Sequence, residues 1–289
     1  MKFFLIIPGL PRCATTSFSQ ILSQHPQIFL PKIKEPHYFL PEKSSYYMFN
    51  RKGEKVPFDK SGFINTKFNF EENYEGFKSG KIYIDGSTLY AVHHQSIDEI
   101  FKQKDINPYF IILKKDPFKR AVSHYLYSVS RGEEFRTFEQ ALNDEINGLY
   151  DKWLLGGYLS GSDSNACEEK IEKLWGNAKF ISVDIDKDNV FCQEFMDKIL
   201  SIFNLNDFSF DFSLMANSLT YTDNRIIKEM RIFFKRVRQV NPILMDNKLT
   251  RLFFNAFMKL VPVKKDVYQE YDNYRDLYNK LYHLKKIIE

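Results

Sequence analysis

The sequence is poor in the features that mark several classes of protein. Its 289 residues contain three cysteines, Cys13, Cys167 and Cys192. Their number is odd and their spacing wide, so they match neither a disulfide framework nor a zinc site, and a reducing compartment is expected. We therefore expect a cytoplasmic protein. We also expect no bound metal, because no set of histidines, cysteines and carboxylates has metal-ligand spacing.

Long apolar runs and a strong net charge are also missing. The chain has 41 basic and 37 acidic residues, a net charge of +4, which is too mild to indicate a nucleic-acid partner. No run approaches the roughly 20 apolar residues of a membrane span. The first apolar segment, Phe3–Ile7, ends at Pro8 and Gly9 without the longer stretch and cleavage site of a signal peptide. We interpret it as a buried strand.

Apolar and aromatic residues are plentiful, with 28 Phe and 17 Tyr in a chain that is 44% hydrophobic. This content supports a sizeable core, and some of the rings could instead line a sugar- or base-binding cleft. Four short apolar runs predict buried strands, at Phe3–Ile7, Lys81–Ile84, Pro108–Leu113 and Ala178–Val183. Helical patterns lie at Thr16–Ser23, Ser96–Lys102, Pro117–Ser130 and Thr137–Glu145.

Strands that alternate with helices predict an α/β fold, a central parallel sheet flanked by helices with right-handed crossovers. Ligands of such folds bind at the carboxyl ends of the strands, so the loops after Ile7, Ile84 and Leu113 are the candidate site. Residues 41–80 show no clear period and are expected to form an irregular excursion over this face. From about Asp223 onward the pattern becomes mostly helical.

The loop at residues 8–17 is the most informative segment. It follows a predicted strand and opens a predicted helix, an arrangement that binds anions through backbone N–H groups and the helix dipole. The residues that would contact the ligand are Arg12, Cys13, Ala14, Thr15, Thr16 and Ser17. A nucleotide-kinase loop would place glycine at Ala14 and lysine at Thr15, so the sequence keeps a phosphate-binding loop without the kinase residues. A tight turn with a Ser/Thr cap is the purely structural alternative.

Three blocks of sequence resemble one family. Residues 12–16 (RCATT) resemble the 5'-phosphosulfate loop of sulfotransferases that use 3'-phosphoadenosine 5'-phosphosulfate (PAPS). Residues 34–39 (KEPHYF) resemble the K-E-x-x-F-F segment of the carbohydrate sulfotransferases, the heparan-sulfate-like and bacterial enzymes. Residues 115–123 (KDPFKRAVS) resemble the R-[DN]-P-x-x-R-x-x-S segment that binds the 3'-phosphate. The resemblance covers about residues 3–135 well.

The resemblance implies roles for individual residues. Glu35 would be the catalytic base, with His37 as the second choice. Arg12 would stabilise the leaving phosphate by its charge, because an arginine cannot donate a proton. Lys115 and Ser123 would hold the 3'-phosphate. A surface carboxylate paired with a lysine would be the ordinary interpretation of Glu35 in isolation, and Arg120 could form a merely solvated pair with Ser123.

One segment departs from the family. Residues 84–90 (IDGSTLY) resemble its E-K-S-P-x-Y stretch, with Asp85, Ser87 and Tyr90 matching in type. Gly86 stands where the family has a lysine that helps to position the catalytic groups and the acceptor. Its absence would leave Arg12 as the one cation near the reacting sulfur.

The resemblance therefore predicts a single sulfotransferase domain over residues 1–289, with a donor-binding core at about 1–135 and 176–190 and a helical part at about 223–289. The expected activity is transfer of a sulfuryl group from PAPS to a hydroxyl of a glycan or glycolipid, releasing 3',5'-adenosine bisphosphate. A sulfotransferase for a small alcohol or phenol and an inactive nucleotide-binding module of the same fold are the alternatives.

Two C-terminal patterns bear on partners. Basic residues recur at helical spacing over residues 225–238, opposite an apolar face, and residues 251–265 combine three phenylalanines with flanking lysines. Solvated and core-packed faces are the ordinary interpretations. A track for an anionic glycan, or peripheral contact with the inner face of a membrane, is the functional alternative.

Overall fold

The computed structural model describes residues 2–40, 47–49, 54–57, 80–131, 134–149, 153, 155–176, 179–214 and 268–288. The strands are β1 Lys2–Ile6, β2 Ile28–Phe29, β3 Tyr47–Phe49, β4 Lys55–Pro57, β5 Ile82–Asp85, β6 Ile106–Lys114 and β7 Phe180–Asp184. The helices are α1 Thr15–Leu22, α2 Leu89–Val92, α3 Gln95–Phe101, α4 Pro117–Arg131, α5 Phe138–Ile146, α6 Asn165–Trp175, α7 Gln193–Ile202 and α8 Arg275–Ile288. Short 3₁₀ turns lie at Ser160–Ser162, Phe212–Leu214 and Gln269–Tyr274.

The central sheet has five strands in the order β2-β5-β1-β6-β7, and every neighbouring pair is parallel. β1 lies in the middle, and the register pairs Ile6 with Asp85 on one side and with Phe110 on the other. From β1 the chain goes to the edge strand β2, returns to β5 beside β1, and then crosses to β6 and β7 on the other side, so the strand order changes direction at β1. The carboxyl end of β1 is the point where such sheets bind ligands.

Among the described residues, two groups of buried side chains form the core. The larger packs the sheet between helices α1, α3, α6 and α7, and the β1 side chains Phe4–Ile6 are fully buried within it. The smaller lies among α4, α5 and α8, where Phe118, Phe138 and Tyr278 bring their rings together. The C-terminal helix α8 is thereby attached to the helix that follows β6, next to the carboxyl edge of the sheet.

Local sequence explains where individual elements begin. Thr137 and Gln140 form a capping box at the start of α5, each side chain accepting a hydrogen bond from the other residue's backbone N–H. α4 begins at Pro117, whose fixed φ suits the first helical position. Both starts agree with the predicted helices.

The α/β fold with a parallel sheet flanked by helices is confirmed, and the four predicted strands and four predicted helices are present with ends shifted by at most two residues. The differences are elements that were not predicted, which include the helices α2, α6 and α7. Within residues 41–80, which were expected to be irregular, β3 and β4 pair antiparallel, and three residues per strand are too few to show a period. The two-residue strand β2 was missed for the same reason.

Among the described residues, no helix is long and apolar enough to cross a membrane. The basic pattern at residues 225–238 and the aromatic pattern at 251–265 lie outside the described residues. The division of the chain into a donor-binding core and a helical C-terminal part stays a prediction.

Candidate active site

The candidate site lies where β1, β2, β5 and β6 end. Because these strands are parallel, the loops after them meet at one edge of the sheet. The 8–17 loop follows β1, Glu35 lies beyond β2, residues 86–88 follow β5, and Lys115 follows β6. The sheet order therefore brings together the three blocks that are separated by up to about a hundred residues in the sequence.

The first part of the 8–17 loop packs between the ends of β5 and β6. Gly9 accepts a hydrogen bond from the N–H of Leu113, at 3.0 Å, and Leu10 donates one to the Leu113 carbonyl, at 2.8 Å. Gly9 has φ +145°, and a Cβ there would lie 2.8 Å from the carbonyl oxygen of Thr88. Glycine is needed here because the backbone conformation and the close approach both exclude a side chain. The loop is thus fixed to the ends of β5 and β6.

The next residues have a backbone conformation that is suited to binding an anion. Arg12 and Ala14 adopt left-handed conformations, with φ 73° and 56°, and α1 begins at Thr15. Left-handed residues between turn residues form concave arrays of N–H groups that bind anions, and a helix start adds its dipole. α1 has no side-chain N-cap hydrogen bond, so the hydroxyl-capped turn considered as the structural alternative is not what the loop forms.

The predicted loop residues differ in what they offer a ligand. Cys13 is fully buried, its N–H donates to the Leu10 carbonyl, and burial raises the pKa of its thiol to about 12, so the thiol is a neutral core group. Ser17 is buried as well, whereas Arg12, Ala14 and Thr16 are partly exposed. Thr15 is nearly buried and its hydroxyl accepts a hydrogen bond from Lys34.

Two basic residues lie on the β6 side of the loop. The Arg12 Nε donates to the Ser123 hydroxyl at 3.3 Å, and its guanidinium lies 4.6 Å from the centre of the Tyr127 ring. Lys115 donates to the Tyr268 hydroxyl at 2.8 Å. Burial lowers the pKa of Arg12, yet an arginine stays charged. The structure thus brings Arg12 and Ser123 into contact. Tyr127 and Tyr268 were missed, because neither belongs to a recognisable motif.

Glu35 lies on the β5 side of the same loop. Its Oε1 accepts from the Lys34 ammonium at 2.9 Å and its Oε2 from the Thr88 hydroxyl at 3.0 Å. The same ammonium donates to the Thr15 hydroxyl at 3.1 Å, which connects the carboxylate to the start of α1. Burial alone would raise the pKa of Glu35, but the charge of Lys34 and the hydrogen bonds hold that pKa below its ordinary value. The carboxylate is therefore ionised at neutral pH.

His37 lies beside Glu35, and its Nε2 is 3.7 Å from the Glu35 Oε2. Burial lowers the pKa of His37 to about 4, so the ring is neutral at physiological pH and forms no ion pair there. Its backbone has φ 51° and its N–H donates to the Ser87 hydroxyl at 2.9 Å. Glu35 and His37 are both close enough to serve one reaction centre.

Asp85, Ser87 and Tyr90, at the end of β5 and after it, support the neighbouring backbone through hydrogen bonds. Asp85 is fully buried and accepts from the Ser87 N–H, at 3.0 Å, and the Tyr90 hydroxyl, at 3.1 Å. The Tyr90 hydroxyl in turn accepts from the Phe39 N–H, at 3.2 Å. Burial raises the pKa of Asp85 to about 6. Together with the His37–Ser87 bond, this network fixes the 34–39 segment to the end of β5.

A solvated pair with Ser123 was one interpretation of Arg120, and that interpretation is wrong. Its side chain is fully buried and donates to the carbonyls of Gly157 and Tyr158, at 2.9 and 3.0 Å, and to the Ser162 hydroxyl at 2.7 Å. Glu145 accepts from the N–H groups of the same turn. Arg120 therefore stabilises a turn beside α4 and offers no exposed group to a ligand.

The expectation that Arg12 would be the one cation near the reaction centre is also incomplete, because Lys34 brings a second positive charge to the 8–17 loop. Among the described residues, no group of three histidines, cysteines or carboxylates is arranged to hold a metal ion. The loop backbone, the flanking cations and the adjacent carboxylate together suit a nucleotide phosphate next to a group that accepts a proton.

Comparison with known proteins supports this architecture at the level of the fold. The chain is similar in structure to a sulfotransferase from Alicyclobacillus acidocaldarius, with a TM-score of 0.57 and 19% sequence identity over 87% of this chain and 99% of that one. No protein-family model and no curated protein sequence matches the chain significantly. The similarity shows a sulfotransferase fold.

Proposed function

We propose that the protein is a sulfotransferase that takes a sulfuryl group from PAPS and transfers it to a hydroxyl of a glycan or glycolipid. The observation that supports this most directly is the contact between the two halves of the site. Lys34 hydrogen-bonds both the Glu35 carboxylate and the Thr15 hydroxyl of the phosphate-binding loop. A carboxylate held against an anion-binding loop is useful to a transferase and has no evident use in a protein that only binds a nucleotide.

The residues present fit the donor. The left-handed residues Arg12 and Ala14, with the start of α1, would hold the 5'-phosphosulfate, and Lys115 with Ser123 would hold the 3'-phosphate. A lysine and an arginine at these positions neutralise phosphate charge. PAPS would supply the sulfuryl group: the acceptor oxygen forms a bond to sulfur while the bond from sulfur to the 5'-phosphate oxygen breaks, leaving its electron pair on 3',5'-adenosine bisphosphate.

Glu35 would take the proton of the acceptor hydroxyl. Its carboxylate is ionised at neutral pH and 35% of its side chain is exposed, so an acceptor can reach it. A low pKa makes it a weak base. It would therefore take the proton as the new bond forms, when the acceptor oxygen becomes acidic, and Arg12 would stabilise charge on the departing phosphate.

Fewer observations support the proposed class of acceptor, a glycan or glycolipid. Tyr38 follows the Glu35–His37 pair and is 41% exposed, which suits stacking on a sugar face. The carbohydrate-type sequence at residues 34–39 supports the same class. Contact of the C-terminal segment with an anionic glycan or a membrane surface is a further part of the proposal that concerns residues outside the described ranges.

Incubation with radiolabelled PAPS and a panel of glycans, glycolipids and phenols tests the proposal. We expect label to enter a glycan or glycolipid, with release of 3',5'-adenosine bisphosphate and without added metal. Transfer to phenols alone would contradict the acceptor class, and absence of transfer to every acceptor would contradict the proposed activity.

A further inference from the structure

We infer that Lys34 is a positioning residue of this site, which holds the Glu35 carboxylate against the phosphate-binding loop, and that Gly86 lacks a side chain so that Lys34 can do so. The inference deepens the proposed function and takes its catalytic meaning from it. The geometry on which it depends is independent of any substrate.

The Lys34 ammonium joins three loops. It donates to the Glu35 Oε1 at 2.9 Å, to the Thr15 hydroxyl at 3.1 Å and to the Gly86 carbonyl at 3.3 Å. An ammonium has three N–H groups, so these three acceptors account for all of them. The partners come from the loops after β2, β1 and β5, and 16% of the Lys34 side chain is exposed. The ammonium thus sets the distance between the carboxylate and the start of α1.

Gly86 forms hydrogen bonds with both the backbone and the ammonium of Lys34, and its lack of a side chain leaves room for the lysine side chain. The Gly86 N–H donates to the Lys34 carbonyl at 3.1 Å, while its own carbonyl accepts from the ammonium. A Cβ on Gly86 would lie 2.8 Å from the Lys34 Cε and 3.3 Å from its Nζ. Carbon atoms do not approach this closely, so any side chain at position 86 displaces the lysine tail.

The backbone does not require this glycine. Gly86 does not have a left-handed φ, in contrast to Gly9. Its neighbours where a Cβ would lie are atoms of one flexible side chain. Alanine at this position should therefore fold normally and move only Lys34, which makes Gly86→Ala a way of displacing the ammonium without changing any charge.

Removing the ammonium should change Glu35 in a measurable way. The charged and titratable groups around Glu35 are Lys34, His37, Arg12 and the buried Asp85. Of these, Lys34 contributes most to lowering the Glu35 pKa, through its charge and its hydrogen bond. Without it, less opposes the effect of burial, which raises the pKa of the carboxyl, so a larger fraction of Glu35 is protonated at mildly acidic pH.

The test compares Gly86→Ala, Lys34→Ala and the double variant Lys34→Ala/Gly86→Lys with a control, Lys32→Ala, which removes the same charge from an exposed lysine two residues away. We expect Gly86→Ala and Lys34→Ala to lower kcat roughly 10- to 100-fold, as misplacement of a catalytic group does. Both should move the acid limb of the kcat/KM profile to higher pH. Lys32→Ala should do neither.

The double variant Lys34→Ala/Gly86→Lys returns an ammonium to the same place, but on the side chain of residue 86. The position of a Cβ on residue 86 is next to the present Lys34 tail, so a lysine there can reach Glu35. We expect it to recover part of kcat and to move the acid limb back. A lysine that merely stabilised the fold would change the melting temperature and leave the pH profile unmoved.

A carboxyl titration of Glu35 by carbon NMR separates this inference from the proposed activity. If the unaltered protein transfers no sulfuryl group, the proposed function fails, and the titration still decides whether Lys34 holds Glu35. A higher Glu35 pKa in both single variants supports the inference. An unchanged pKa and unchanged kcat in Lys34→Ala overturn it, and that variant decides alone if Gly86→Ala does not fold.

Discussion

Replacing Glu35 with glutamine tests which group takes the proton of the acceptor. The carboxylate is ionised at neutral pH, whereas His37, with a pKa of about 4, is neutral and buried. Glutamine has the same shape but cannot take a proton. Since a positioned base contributes about 10²- to 10⁴-fold, we expect Glu35→Gln to lower kcat by at least about 10²-fold.

The substitution should leave the fold and donor binding largely intact. Glu35 is 35% exposed and its ion pair with Lys34 is only partly shielded, so its loss costs on the order of 1 kcal/mol or less. In a domain of this size that corresponds to a change of a few degrees in the melting temperature. The KM for PAPS should remain close to its value in the unaltered protein.

The matched variant at the neighbouring candidate is His37→Asn. His37 has φ 51°, and asparagine tolerates this left-handed conformation better than alanine does. Initial rates with radiolabelled PAPS, over a series of pH values and together with melting curves, compare the two variants. We expect His37→Asn to retain most of kcat. If instead it abolishes turnover while Glu35→Gln remains near normal, the assignment of Glu35 as the base is refuted.

Three further outcomes follow from single contacts. Lys115→Ala should weaken binding of 3',5'-adenosine bisphosphate by roughly 10-fold or more while leaving 5'-AMP, which has no 3'-phosphate, unaffected in calorimetry; equal losses for both nucleotides would contradict the role of Lys115. Arg120→Met should destabilise the fold by on the order of 3 kcal/mol in urea unfolding, because it leaves buried carbonyls without donors; a change below about 1 kcal/mol would contradict it. Asp85 has a raised pKa of about 6 against an ordinary 3.8, so the folded state binds more protons between these values and the contribution of Asp85 to stability falls as pH rises through them, by about 3 kcal/mol. Asp85→Asn should remove that fall, and an unchanged pH dependence of unfolding would show that the carboxyl does not titrate there.

The sequence predicts several of the main elements, because their signals are local, whereas the helices α6 and α7 were not recognised. β1, β6 and α4 each have a run or period long enough to be recognised within a single window. The capping residue Thr137 and the proline at 117 even indicate where two helices begin. The two residues of β2 cannot show any period, although this strand is what brings Glu35 to the sheet edge.

Contacts within the site depend on partners that are distant in the sequence. Lys34 reaches Gly86 and Thr15 only because β1, β2 and β5 are neighbours, and no spacing rule places its ammonium over a glycine 52 positions away. Arg120 was assigned to solvent for the same reason. Its acceptors are in a turn about forty residues later, which the helix pattern of α4 does not reveal.

The central claim is that the loop after β1 and Lys115 hold a nucleotide with both a 5'- and a 3'-phosphate, without a metal ion. Calorimetric titration with 3',5'-adenosine bisphosphate and with ATP, each with and without EDTA, tests it most directly. We expect the bisphosphate to bind equally well in both conditions and ATP to bind far more weakly. Equal affinity for ATP, or a strict requirement for magnesium, would contradict the account.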